Sequence, residues 1–227
     1  SELKPIMKCP GFQKDIRKDV IKRYLYQQCV NEPDSIFENV YKVEPGQMIR
    51  FRQGRLSKQK YWDIAEVYRA RKQETVGSYE EAKEELKAVL TDAVSKRMVA
   101  DVPVGAFLSG GYDSSLVTAI AQSVSSEPVK TYSIGFHEER YNEAKYAKEV
   151  AKYLGTQHTE LYIDEQAMFD MVDSIPRYYD EPFADSSQIP SMLVAGLAAK
   201  DVTVVLSGDG GDEFFCGYNI YDNVGQA

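Results

Sequence analysis

The chain is poor in the residues that mark a metal centre, a disulfide scaffold or a membrane span. Its two histidines, His137 and His158, are far apart and poorly supplied with other ligand types, so no zinc site is expected. The three cysteines, Cys9, Cys29 and Cys216, are odd in number and never spaced as CxxC. That excludes a disulfide framework and fits a reducing, cytoplasmic compartment. The longest apolar stretches, such as residues 192–199, fall well short of the ~20 residues that a spanning helix needs. No signal peptide is expected either. An excess of positive charge is also missing: 27 Lys and Arg against 35 Asp and Glu leave a formal net charge of −8. Nucleic acid and anionic membrane both demand a positive surface, so neither is expected as a partner. Any phosphate must be held locally.

What is present is a 43% hydrophobic fraction over 227 residues, enough for one large soluble domain or one domain plus part of another. The first part, to about residue 63, combines a short helical stretch at 16–26 with alternating runs at 40–43, 47–52 and 55–61. Gln53-Gly54 between the last two is a hairpin turn signal. Residues 69–77 lose apolar periodicity and read as a linker. Ser78, three residues before Glu81 and ahead of apolar Ala82, Leu86, Val89, Leu90 and Ala93, is a capping box opening an amphipathic helix.

Beyond Asp101 continuous apolar runs at 104–108, 129–136, 159–163 and 202–206 alternate with helical periodicity at 114–124, 142–154, 165–175 and 189–200, and a new helix starts at 212. Buried strands alternating with helices predict an α/β domain with a doubly wound parallel sheet, preceded by a small β-rich N-terminal remnant.

In such a sheet ligands bind beyond the carboxyl ends of the strands. Two strands there run into nearly the same letters: Ser109-Gly110-Gly111-Tyr112-Asp113-Ser114-Ser115, and Ser207-Gly208-Asp209-Gly210-Gly211-Asp212-Glu213. Gly110 and Gly111 remove the Cβ atoms that would hold a phosphate off the backbone, and the helix beginning near Ser114 points N–H groups at the anion. No GxxxxGK[ST] motif is present, and GxGxxG fails because Glu213 stands where the last glycine would be. The triphosphate therefore needs another counterion. Asp113 and Asp212 fit a shared Mg²⁺, which takes one or two carboxylates plus phosphate oxygens. The bland alternative makes Asp113 a helix N-cap and the glycine pair a plain turn.

Ser-Gly-Gly-x-Asp-Ser-Ser after a buried strand resembles the signature of the PP-loop ATP pyrophosphatases. Leu206-Ser-Gly-Asp-Gly-Gly-Asp-Glu-Phe-Phe-Cys-Gly-Tyr218 resembles the second nucleotide loop of the glutamine-hydrolysing asparagine synthetases. Tyr179-Asp-Glu-Pro-Phe-Ala-Asp-Ser-Ser-Gln-Ile-Pro190 is similar to that family's substrate-side segment, and residues 37–46 through Trp62 to the end of its glutaminase domain. The resemblance implies that residues 1–66 are the end of a glutaminase domain, 67–77 a linker and 78–227 an ATP-binding domain truncated at its C-terminal end. It places ATP contacts on Leu108, Ser109, Gly110, Gly111, Asp113, Ser114, Ser115, Ser207 and Gly208, with Ile134 and Gly135 for the adenine. Metal and pyrophosphate carboxylates fall on Asp113 and Asp212, and a catalytic carboxylate on Asp209.

The implied reaction is ATP-dependent adenylation of the aspartate side chain, with release of pyrophosphate and attack by glutamine-derived ammonia. Small molecules are the implied partners, with a homodimer as the assembly. The same chemistry on a surface-sugar acid or a cyclising β-lactam or peptide precursor, or a non-catalytic ATP-binding module, are the alternatives. Asp180, Glu181, Asp185 and Ser186 either orient an amino-acid substrate or form a polar turn around Pro182. Arg140 and Lys145 are read as solvated charge, His158 as structural and Cys216 as a small buried residue. The family's N-terminal cysteine nucleophile has no counterpart at Ser1 or Cys9, and the family's later catalytic lysine lies beyond the matched residues.

Overall fold

The computed structural model describes residues 2–74, 77–138, 142–218 and 221. In chain order the first elements are α1 (Leu3–Met7), α2 (Lys18–Gln27), β1 (Gln47–Arg52), β2 (Arg55–Lys60), α3 (Ile64–Arg71) and α4 (Tyr79–Met98). Then follow β3 (Val104–Phe107), α5 (Tyr112–Val124), β4 (Lys130–Phe136), α6 (Ala144–Leu154), β5 (Gln157–Ile163), α7 (Glu165–Val172), α8 (Ile175–Tyr178), α9 (Gln188–Ala198), β6 (Val204–Leu206) and α10 (Gly211–Phe215). They form two compact units: Ser1–Val76 with Asp173–Ser186, and Gly77–Val172 with Ser187–Ala227.

The second unit is built on a four-stranded sheet of order β5-β4-β3-β6, with every pair parallel. Parallel strands need crossovers, and helices supply them on both faces. On one face Ala106 packs with Val94 of α4, with Ile120 and Ala121 of α5, and with Val129. Leu108 lies with Ala147 and Ala151 of α6. On the other face Tyr132 meets Leu197 and Ala198 of α9 and Val202, with Phe107, Leu161 and Val205 against them. This is the doubly wound α/β arrangement. The chain moves outward from β3 through β4 to β5, then returns to place β6 on β3's other side. The order therefore reverses between β3 and β6, and a crevice opens at such a switch point.

Local signals set the ends. Ser78 Oγ accepts from the Glu81 amide at 3.3 Å and opens α4. Gly155, in the left-handed region at φ 73°, closes α6. The helix expected at 165–175 breaks instead into α7 and α8, since Pro176 cannot donate an amide into a continuing helix.

In the first unit β1 and β2 form the expected antiparallel hairpin, and Gln53 and Gly54 both have positive φ, as a two-residue primed turn requires. The run at 40–43 forms no strand; Tyr41 makes only an isolated bridge to Asp34. Val20, Val30, Ile36 and Phe37 are the unit's buried core. The residues expected to form a linker carry the end of α3, capped by Asp63, which accepts from the Ala65 and Glu66 amides.

Candidate functional site

β3 and β6 are adjacent and parallel, with Ala106 level with Leu206, so the segments that follow them leave the same rim side by side. The first is tied down from within. Ser114, buried as the third residue of α5, brings its hydroxyl within 2.9 Å of Ser109 Oγ and donates to the Gly111 carbonyl at 3.3 Å. Ser109 Oγ in turn accepts from the Gly111 amide at 3.3 Å. Two serine side chains thus fix the backbone of a loop that has no bulk of its own.

The helix N-cap is Gly111, not Asp113, and it offers no side chain to the first-turn amides. Those N–H groups have no intrahelical partner by construction and carry the positive end of the helix dipole. Ser115 Oγ is buried and without a partner among the described residues. Orphaned donors at the head of a thirteen-residue helix fit an anion.

The second loop closes on the first. A Cβ on Gly208 would lie 2.7 Å from the Ser114 amide nitrogen and 2.9 Å from the Asp113 carbonyl carbon, so the Gly208 backbone is seated directly on the first turn of α5. A Cβ on Gly211 would run into the Asp113 carboxyl group. The Asp113 carboxylate therefore rests against the start of α10, one residue from Asp212, whose own carboxylate sits against Gly217. Ser207 Oγ donates to Asp209 at 3.0 Å, and Asp209 is exposed. The Tyr218 hydroxyl donates to Glu213 at 2.9 Å, and that bond, with burial second, raises the phenol above its ordinary value.

Asp113, Asp209 and Asp212 thus belong to one pair of joined loops. Among the described residues no group of three or more His, Cys, Asp or Glu side chains converges as a metal cage. A pair of carboxylates fits Mg²⁺, which keeps few protein ligands and takes phosphate oxygens beside them. Ile134 and Gly135 lie at the end of β4 on the same rim. Gly135 is buried where a Cβ would meet the Tyr162 ring and, at 3.0 Å, Ala144.

The other expected residues fall elsewhere. Asp180 belongs to the first unit, where it accepts from the Leu3 amide and the Lys4 ammonium. Burial pushes its carboxyl up, but those contacts outweigh it and hold it below the usual range. Glu181 accepts from the Ile36 amide at 2.6 Å and pairs with Lys42 at 2.5 Å. Asp185 and Ser186, both exposed, are in the same unit. Cys216 is exposed, not buried as expected, because it ends α10 in the left-handed conformation at φ 57° on the open side of the loop. Arg140 lies outside the described residues. His158 is structural as expected: its two ring nitrogens lie 2.9 Å from Thr131 Oγ1 and 3.2 Å from Ser133 Oγ.

One neighbour of the site was not read from the sequence. A Cβ on Gly110 would lie 2.7 Å from the Ala147 amide and 2.7 Å from Tyr146 Cβ, which brings the first turn of α6 against the first loop. The signal was Gly110 itself, whose φ of 88° and missing side chain admit that approach.

Comparison with known proteins gives two family matches: Asparagine synthase over residues 85–225, and Glutamine amidotransferase domain over residues 1–62. The chain is 40% identical over 228 residues to a putative asparagine synthetase [glutamine-hydrolyzing] 2 of Methanocaldococcus jannaschii, covering 98% of this chain and 43% of that protein. It is 36% identical to asparagine synthetase [glutamine-hydrolyzing] 1 of Bacillus subtilis, covering 91% of this chain and 32% of that one. It thus spans less than half the length of these curated relatives. Among solved structures, a glutamine-dependent NAD+ synthetase from Acinetobacter baumannii in complex with ADP is similar over 59% of this chain and 27% of that one, with a TM-score of 0.44 and 26% identity.

Proposed function

This chain belongs to the asparagine synthase family, and from that premise we propose that it is the ATP-binding part of a ligase that amidates the side chain of aspartate with ammonia derived from glutamine. The observation that carries the proposal is the seating of Gly208 on the amide of Ser114, which makes the two glycine loops one anion-binding surface.

In this reading the first-turn amides of α5, with the hydroxyls of Ser109 and Ser115, hold phosphate oxygens. Ser207 and Gly208 border the same phosphates. Ile134 and Gly135 border the adenine, and Leu108, whose side chain is enclosed with Ala147 and Ala151, is a further ATP contact only through its backbone. Asp113 and Asp212 would hold Mg²⁺, which when bound neutralises phosphate charge and raises the electrophilicity of phosphorus.

A carboxylate is a poor electrophile at neutral pH, so it must first be activated. Its oxygen attacks the α-phosphorus, the bond from that phosphorus to the β-phosphate bridging oxygen breaks, and pyrophosphate leaves. The ammonia lone pair then attacks the acyl carbon, AMP departs with the electron pair, and a proton is lost from nitrogen. Asp209, held by Ser207, is the proposed carboxylate beside the acyl centre. Its work is positioning and charge placement, which contribute most in adenylyl transfer.

We further propose residues 1–66 as the end of the glutaminase domain, 67–77 as its connection and 78–227 as the synthetase part. Asp185 and Ser186 remain the proposed amino-acid contacts.

The test has two parts. Calorimetry with Mg-ATP should give binding that Asp113→Ala and Asp212→Ala each weaken by about tenfold or more, the loss of one charge-assisted contact; unchanged affinity in both refutes the shared cation. In the complete enzyme turnover should yield AMP and pyrophosphate, and formation of ADP and phosphate would refute the reaction.

A further inference from the structure

The two loops that would surround a triphosphate contain no lysine or arginine, while Asp113, Asp209, Asp212 and Glu213 all stand in them. Amides and hydroxyls supply partial charges, and one divalent ion supplies two units, so a nucleotide carrying about four negative charges meets no side-chain cation within these two loops. Lys145 is a cation on the helix that abuts the first of these loops. It lies in the first turn of α6, next to Tyr146, whose Cβ and backbone crowd Gly110 of the first loop. Its ammonium rests over the Tyr146 ring, 4.9 Å from the centroid. Among the described residues no carboxylate is within ion-pair distance of it. The contrast with Lys148, one turn later, is clear: that ammonium is already held by Glu160 at 3.2 Å.

We infer that Lys145 binds the nucleotide phosphates beyond the α-position, swinging from the Tyr146 ring to the mouth of the Gly110 loop when ATP is present. A cation–π contact at an exposed ring is worth only about 0.5–1 kcal/mol, so it parks the ammonium without trapping it. A phosphate contact made by a point charge on a flexible stem tolerates this approach from a neighbouring helix. The inference rests on the ATP reading proposed above.

Binding of Mg-ATP and of AMP to the full chain, measured by calorimetry for the wild type, Lys145→Ala and Lys145→Arg, tests it. AMP keeps the adenine, ribose and α-phosphate but lacks the groups assigned to Lys145. Lys145→Ala should weaken Mg-ATP by about ten- to hundredfold, the range of a charge-assisted hydrogen bond, and leave AMP unchanged. Lys145→Arg should recover most of the ATP affinity. The ATP affinity of Lys145→Ala should also fall less steeply with salt than that of the wild type. Alanine is a good helix former, so the thermal midpoint should hold. If Lys145→Ala binds both nucleotides as the wild type does, or weakens both equally, the role of Lys145 is overturned while the ATP reading stands. If the wild type binds neither nucleotide, the ATP reading fails and takes the inference with it.

Discussion

At the residue scale the most exacting demand falls on Gly208. A methyl group there would meet backbone, not the far end of a flexible side chain: the Ser114 nitrogen at 2.7 Å and the Asp113 carbon at 2.9 Å. Gly208→Ala must therefore prise the second loop from the head of α5. We expect a loss of about 1–3 kcal/mol in stability, the cost of overpacking, and a drop of at least tenfold in Mg-ATP affinity at a temperature where the protein remains folded. Denaturant titration and calorimetry on one preparation separate the two effects. His158 makes a second prediction. Burial, opposed by Glu160, keeps its ring below the ordinary value of 6.5, so the folded state favours the neutral form. The stability it contributes is full above 6.5 and is lost as pH falls from there through the lower folded value. The thermal midpoint should decline over that interval, and His158→Gln should flatten that part of the profile. The two positions were legible to different degrees. Gly208 was legible because its loop repeats the letters of the first. The ring of His158 is held by Thr131 and Ser133 across a strand pair, and no spacing along one strand announces its partners.

At the level of elements, strands β3 to β6 were legible because a parallel sheet covered on both faces needs unbroken apolar runs. Their boundaries shifted by a few residues: β5 begins at Gln157 and β6 only at Val204. Strand order was not in the pattern. Four apolar runs do not say that β6 returns to flank β3, and only that return puts the loop after β6 beside the loop after β3. The missed helix α1 and the helical start of the expected linker share a cause. Each carries an apolar i, i+3, i+4 trio, Leu3, Ile6 and Met7 in one and Ile64, Val67 and Tyr68 in the other, but at five and eight residues neither is long enough to establish a helical period. Where a terminus is marked by conformation, the sequence is explicit. Gly155 ends α6 in the left-handed region with nothing within 4 Å of a would-be Cβ. Substitution there isolates the backbone cost from any clash, and Gly155→Ala should destabilise the sheet unit by about 1–2 kcal/mol. A loss much larger than that in urea titration would mean that an unseen contact, and not φ, is responsible.

For the whole molecule, chain order and spatial grouping differ in an instructive way. Asp173–Ser186 lies between α7 and α9 of the sheet unit in sequence, yet it groups with the N-terminal residues. Two consecutive acids explain why. Asp180 is taken by Leu3 and Lys4, and Glu181, its side chain only 13% exposed, accepts the amide of buried Ile36 with one oxygen and holds Lys42 with the other. The Ala184 amide adds a 2.7 Å bond to the Gln28 carbonyl. A polar turn around Pro182 could be foreseen from composition, but the partners lie some 140 residues away or more, beyond the range of local patterning. The consequence can be measured. Glu181→Ala would leave the Ile36 amide without its acceptor and Lys42 without its carboxylate, a penalty of about 1–3 kcal/mol for the orphaned amide alone. Hydrogen exchange should quicken around residues 17–42 in this variant and stay unchanged at β3 and β4, because the substitution strikes the first unit's own contacts. Glu181→Gln keeps an acceptor for the amide and should retain most of the protection. If Glu181→Ala instead loosens the sheet strands and spares residues 17–42, the segment's allegiance is to the second unit, and the grouping argued from its two acids is wrong.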